Sequence, residues 1–145
     1  MKINSIIKTI DGDTIVALIE LEFNIIIRKH IRLYGIDCPE KSTIAGKKVK
    51  SWIEKVIRDN FEFLVLEVID YEDKYGRLLA KIKIIKEDSE LDLSEELIKE
   101  GLAKTFYVDI LPALNGGAFR ARLGKSKREW KPEELYLIED KLKEY

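Results

Sequence analysis

Apolar and polar positions alternate through the first quarter of the chain, and then the period changes. Residues 2–10 are rich in Ile and stop at Asp11-Gly12, a turn or bulge signal. Residues 14–21, from Thr14 to Leu21, predict a second strand. Residues 24–36 predict a third, with Ile25, Ile27, Ile31 and Leu33 as alternating apolar positions and a short polar connection near Glu22–Asn24 before it. Over 43–58 the period lengthens. Val49, Trp52, Ile53, Val56 and Ile57 fall on one face of a helix, and Ser42 or Thr43 is available to cap its start. Strand spacing returns over 61–69 and from Leu78 to Ile85, separated by the turn residues Asp73-Lys74-Tyr75-Gly76. Asp92 and Glu95 have the spacing of a capping box, which predicts a short helix stopping near Gly101.

The order is three strands, a helix, two strands and a helix. Five short strands with one helix between the third and fourth is the layout of a small Greek-key barrel, the OB-fold. The expected class is therefore a five-stranded β-barrel with two to three helices (α+β). After Tyr107 the pattern weakens. Leu111-Pro112 and Asn115-Gly116-Gly117 look like loop, and Arg120, Arg122, Lys125, Lys127, Arg128 and Lys131 form a basic stretch. That stretch either tracks a phosphate backbone or is a solvated face, the latter being the safer reading. A terminal helix is expected over 133–144, following Pro132. The barrel is thus expected over 1–108, with 109–145 as a loop and helix packed on the same domain. Trp52 belongs to the core stripe, and Trp130 either packs the terminal helix, the preferred reading, or stacks on a base.

Composition narrows the chemistry. A chain of 145 residues suits one core, and 46% hydrophobic residues suffice for it. The charged fraction is 37%, yet the formal net charge is only -1. This excludes a strongly basic coat for nucleic acid and leaves room for a local cationic site. Cys38 is the only cysteine and His30 the only histidine, so no intramolecular disulfide, cysteine zinc site or histidine-rich metal site can form. Acid–base work falls mainly to carboxylates, Lys, Tyr or that one His, and His30 is expected to face solvent rather than to catalyse. No run approaches the roughly 18 apolar residues of a membrane span. No signal-peptide pattern follows Met1, which makes the cytoplasm the default, or secretion if a leader was trimmed.

Three short stretches could carry chemistry. Asp11-Gly12-Asp13-Thr14 is either a turn or part of a hard-cation site, without the graded oxygen series of an EF-hand loop. Arg32-Leu33-Tyr34-Gly35-Ile36-Asp37-Cys38-Pro39-Glu40 ends a strand in a loop with two acids, stiffened by proline. It is a surface turn with a salt bridge or a fixed pair of carboxylates. Asp73-Lys74-Tyr75-Gly76-Arg77 is a hairpin turn or a phosphate grip.

Together with Gly101-Leu102-Ala103-Lys104, these stretches resemble the staphylococcal nuclease (thermonuclease) family in their order and strand context, over about residues 5–108. The resemblance implies an OB-type barrel and a calcium-dependent endonuclease acting on DNA and RNA, leaving 3'-phosphate ends. It implies Asp13 and Asp37 as calcium ligands, with the main-chain carbonyl of Cys38, where the family commonly has threonine. Glu40 matches the general base or water-orienting carboxylate, and Arg32 and Arg77 match the arginines on the scissile phosphate. Lys74 and Tyr75 resemble residues near a terminal phosphate, and Tyr107 an aromatic beside the base. Single-stranded substrates and a monomer are expected, with no membrane. The alternative is a non-catalytic nucleic-acid- or protein-binding module on the same fold. Such modules typically lose the acid or arginine positions, which are all present here. The segment after Glu40 is shorter than in the archetype, and residues 109–145 depart from the usual family C-terminus.

Overall fold

The computed structural model describes residues 1–72, 75–106, 109–112, 119–122 and 130–145, with backbone only for the two four-residue segments. Strands β1 (Lys2–Asp11), β2 (Thr14–Glu20), β3 (Ile26–Leu33) and β4 (Gly35–Asp37) precede helix α1 (Ile44–Asp59). Strands β5 (Leu64–Asp70), β6 (Leu78–Lys86) and β7 (Ser89–Asp92) lead into α2 (Leu93–Lys99). Then follow β8 (Lys104–Phe106), β9 (Asp109–Pro112), β10 (Phe119–Arg122) and α3 (Pro132–Lys141).

The main sheet runs β1-β2-β3-β6-β5, with β7 on β6. Its β3–β6 contact is parallel and the others antiparallel. The sheet curls into a half-barrel. The Met1 amino group donates to the Leu66 carbonyl, and the Leu66 N–H donates back to Met1, both at 2.9 Å. Alternation on the strands sends Ile15, Ala17 and Ile19, Ile31 and Leu33, and Ala80, Ile82 and Ile84 into one core. Helix α1 closes it with Val49, Ile53 and Ile57. Each such Ile or Leu contributes about 1.5–3 kcal/mol by leaving water.

Thr43 caps α1, its hydroxyl accepting from the Gly46 N–H at 2.9 Å. Asp92 caps α2, accepting from the Ser94 and Glu95 N–H groups. The β2–β3 connection turns at Phe23 and Asn24, both with left-handed φ near +60°. Ile138 and Leu142, on and just after α3, join the core. Lys48 Nζ on α1 donates to the carbonyls of Leu142 and Tyr145, each at 2.9 Å. Trp130 packs against the core, with Lys104 Nζ 4.6 Å from its ring centre.

The structure departs from the sequence pattern in two informative places. The third strand does not run unbroken to residue 36. It breaks at Tyr34, because Gly35 takes φ +86° and swings the chain out of the main sheet, where β4 pairs with β8. Residues 61–63 form a 3-10 turn, not the start of a strand. The Phe63 N–H reaches the Asn60 carbonyl at 2.9 Å, and strand alternation of Phe61, Phe63 and Val65 hides that turn.

Candidate active site

The β1–β2 hairpin closes with Asp11 opposite Thr14, so Gly12 and Asp13 form its two-residue turn. Turns of this kind normally stand in water. Here Asp13 is fully buried, 0% exposed. Gly12 allows this by close approach. A Cβ at Gly12 would lie 2.6 Å from Val49 Cγ1 and 2.9 Å from Cys38 Sγ. Helix α1 and the segment after β4 thus press directly on the turn.

Three strand ends meet at this point. Register places Thr14 of β2 opposite Arg32 of β3, and the Leu33 N–H donates to the Asp13 carbonyl at 2.8 Å. The swing at Gly35 returns β4 toward the turn, delivering Asp37 and Cys38. The Cys38 N–H donates to Asp13 Oδ2 at 2.9 Å, and the Thr14 hydroxyl to Asp13 Oδ1 at 3.1 Å. The Arg32 guanidinium lies between the acids, Nη1 3.6 Å from Asp13 and Nη2 3.8 Å from Asp37. It is held by carbonyls, Nη1 donating to Leu33 at 3.0 Å and Nη2 to Ile36 at 2.8 Å. A guanidinium has five N–H donors. These two bonds fix its plane and leave others for an incoming anion.

Glu40 follows Cys38 by two residues and is exposed. Its backbone is tightly fixed. Its carbonyl accepts from the Thr43 N–H at 3.0 Å and from the Thr43 hydroxyl at 2.7 Å. A Cβ at Gly46 would stand 1.8 Å from that same carbonyl oxygen, so only glycine fits. The Lys41 N–H donates to Asp11 Oδ1 at 3.0 Å, tying this loop to the β1–β2 hairpin. Among the described residues the Glu40 carboxylate makes no hydrogen bond or ion pair, so a proton acceptor stands in water on a rigid backbone.

Arg77 is half-buried just before β6, and its guanidinium carbon lies 5.2 Å from the ring centre of the exposed Tyr75. Parallel pairing of Ile31 with Leu78 sets this segment beside β3. Lys74 and Tyr107 lie outside the described residues, as do Lys125, Lys127 and Arg128 of the basic stretch. A cavity of about 610 Å³ between β1 and α1, lined in part by Lys8, Lys50 and Glu54, shares no residue with the acid–arginine cluster.

Among the described residues, no three His, Cys, Asp or Glu side chains stand together as a metal cage. Asp13 and Asp37 offer two carboxylates, and Cys38 adds a main-chain carbonyl. That all-oxygen set suits a hard cation, with the rest of a calcium shell coming from other carbonyls and water. Among the described residues, the buried charged groups are two carboxylates and one guanidinium, formally one unit negative overall. A cation offsets that excess. The residues present therefore fit calcium.

Sequence reasoning did not single out the hydroxyl of Thr14, the N–H of Cys38 or Gly46 as parts of this site. Gly46 carried a usable signal, because glycine near a helix start costs helix propensity and calls for a packing reason. The Cys38 N–H carried none, since it acts through a tertiary contact.

A family model described as staphylococcal nuclease homologue matches residues 30–120, more than half of the chain. Probable endonuclease LCL3 of Komagataella phaffii is 25% identical over 114 residues, covering 76% of this chain and 50% of that protein. Uncharacterized protein MJ1439 of Methanocaldococcus jannaschii is 30% identical over 124 residues, covering 70% of this chain and 58% of the relative. Endonuclease YhcR of Bacillus subtilis is 28% identical over 112 residues, but this chain spans only 9% of it. The chain thus spans about half the length of the first two relatives.

Proposed function

The chain belongs to the staphylococcal nuclease homologue family, and from that premise we propose that it is a calcium-dependent endonuclease. It would hydrolyse phosphodiester bonds of DNA and RNA, with single strands preferred and 3'-phosphate ends as product. The observation that carries this reading is the buried meeting of Asp13, Arg32, Asp37 and the Cys38 backbone beside the solvent-facing carboxylate of Glu40.

A phosphodiester is anionic and repels a nucleophile until its charge is offset. Arg32, fixed by two carbonyls, presents its remaining donors to a phosphate oxygen without reorganising during the reaction. Arg77 approaches the same anion from the β6 side. Asp13 and Asp37, with the Cys38 carbonyl, would hold calcium, which supplies positive charge at the phosphate and lowers the pKa of a bound water. Glu40 accepts the proton of the attacking water. Its backbone is clamped by Thr43, which fixes the point from which that carboxylate reaches. By the family resemblance, Lys74 and Tyr75 would flank a terminal phosphate and Tyr107 would pack beside a base.

The test is incubation with single-stranded DNA and RNA in calcium and then in chelator, followed by end-group analysis. Calcium-dependent cuts with 3'-phosphate ends are expected. Tight binding without cleavage at high protein concentration would replace this reading with that of a binding module.

A further inference from the structure

Strand β3 continues away from Arg32 with the same chemistry. Arg28, His30 and Arg32 occupy alternate positions and so share one face, at steps of roughly 6.6 Å. Ile27, Lys29 and Ile31 alternate with them on the other face, where Ile27 and Ile31 pack against the core. Arg28 and His30 are exposed. The step is close to the phosphate repeat of an extended single strand.

Beyond Arg32, the β2 register sets no acid against this row. On β2, Arg32 faces Thr14, His30 faces Val16 and Arg28 faces Leu18. The first carboxylate on that side is Glu20, opposite Ile26. On the other side, the Ile31–Leu78 pair brings Arg77, the residue before Leu78, toward this end of the row. Among the described residues, neither Arg28 nor His30 makes an ion pair or side-chain hydrogen bond. Some cations elsewhere are committed to acids, Lys83 to Glu67 and Glu90, and Lys141 to Glu100.

We propose that the outer face of β3 is a phosphate track, His30 and Arg28 binding successive backbone phosphates of a single strand whose scissile phosphate lies at Arg32. The proposal rests on the nuclease reading of the Arg32 site and names how that site would hold a polymer. The contacts are to backbone, so they carry no base preference. They make the enzyme favour chains over short fragments.

The experiment measures binding of fluorescent oligothymidylates of three and twelve nucleotides to chelated protein, which needs no catalysis, and then steady-state cleavage of both in calcium. Arg28→Gln should weaken 12-mer binding roughly fivefold, the scale of one exposed charge contact, and His30→Ala, which removes the imidazole N–H donor, should weaken it too. Both should leave the 3-mer unchanged. Arg28→Gln should also reduce the salt slope of log affinity by about 0.7. In cleavage, KM for the 12-mer should rise with kcat constant. Lys47→Gln and Lys55→Gln, at exposed α1 positions, remove the same charge and should change nothing. Equal effects on both lengths, equal effects in the α1 controls, or no effect on the 12-mer would overturn the track. If the wild type cleaves while these variants behave like it, the track fails and the nuclease stands. If 12-mer binding depends on Arg28 and no cleavage occurs, the reverse holds.

Discussion

Two clusters of charged side chains from distant segments are held in opposite ways. Around Arg32 the charges are buried and gripped by backbone. Two carbonyls hold the guanidinium, and a backbone N–H with one hydroxyl holds Asp13. At the seat of α3 the charges are partly exposed and grip each other. Lys104 meets Glu134 at 2.6 Å and Lys141 meets Glu100 at 2.9 Å. Exposed pairs of that second kind add little to stability. Buried charges cost several kcal/mol each in lost hydration, and an apolar centre of the same volume is often as stable. The difference suggests that the α3 pairs serve docking, while the Arg32 centre is retained for what it can do to an anion.

The largest effect is expected from Arg32→Ala. It removes the donor to the phosphate, so cleavage should fall about 10²–10³-fold. It also leaves two carboxylates buried without their guanidinium, which should cost about 3–5 kcal/mol in denaturant unfolding. Wild-type stability in this variant would erase the contrast between the two regions. Next comes Glu40→Gln, which separates chemistry from folding. Its kcat should drop about 10²–10⁴-fold, while the melting temperature stays put because the carboxylate bonds to nothing described. Full activity would remove Glu40 from the proton-accepting role.

Gly46→Ala should be felt in both quantities. The added Cβ would collide with the Glu40 carbonyl. Overpacking of this kind costs about 1–3 kcal/mol, and the shifted loop should lower kcat. Gly101→Ala is the matched control. Its φ of +74° makes the change strained, but no atom lies in its way and the chemistry is remote, so stability alone should fall. Activity lost equally in both variants would show that Gly46 has no special tie to the site.

The smallest effect belongs to Glu134→Gln. The hydrogen bond from Lys104 holds the Glu134 carboxyl below the usual carboxylate range, with help from the Lys131 N–H. A lowered folded pKa stabilises the protein above the unfolded value, and that gain is lost as pH falls through the folded one. Wild type should therefore melt slightly above the variant at neutral pH. The gap should close in acid below the ordinary carboxylate range, with cleavage unchanged at neutral pH. A drop in cleavage at neutral pH would couple α3 docking to the site and sharpen the comparison differently.

Much of this was legible in the sequence, for identifiable reasons. Strands β1, β2 and β6 and helix α1 announce themselves by period, because each has one face in the core. The Thr43 and Asp92 caps are local chemistry and were readable as such. The break at Tyr34–Gly35 was not, since alternation continues across it and only the left-handed φ of Gly35 diverts the chain. Strands β7 to β10 span three or four residues each, too few to display a period. In the site, Asp13, Arg32 and Asp37 stood out as charged residues at strand ends. Their burial did not, because it arises from Gly12 meeting Val49 and Cys38 across the fold. The Arg28–His30–Arg32 row lay in plain view, and only the β2 register shows that no acid faces it through Leu18.

The central claim is that Arg32 is buried for its chemistry. Arg32→Lys tests this most directly. Lysine keeps a positive charge beside Asp13 and Asp37 but lacks the planar fork that meets carbonyls and phosphate together. The measurement is the initial rate of calcium-dependent cleavage of single-stranded DNA by the folded variant beside wild type. The account predicts a fall of about 100-fold or more, on the scale of one lost transition-state donor. A rate within a few-fold of wild type would contradict it, leaving Arg32 as a charge that merely balances two buried acids.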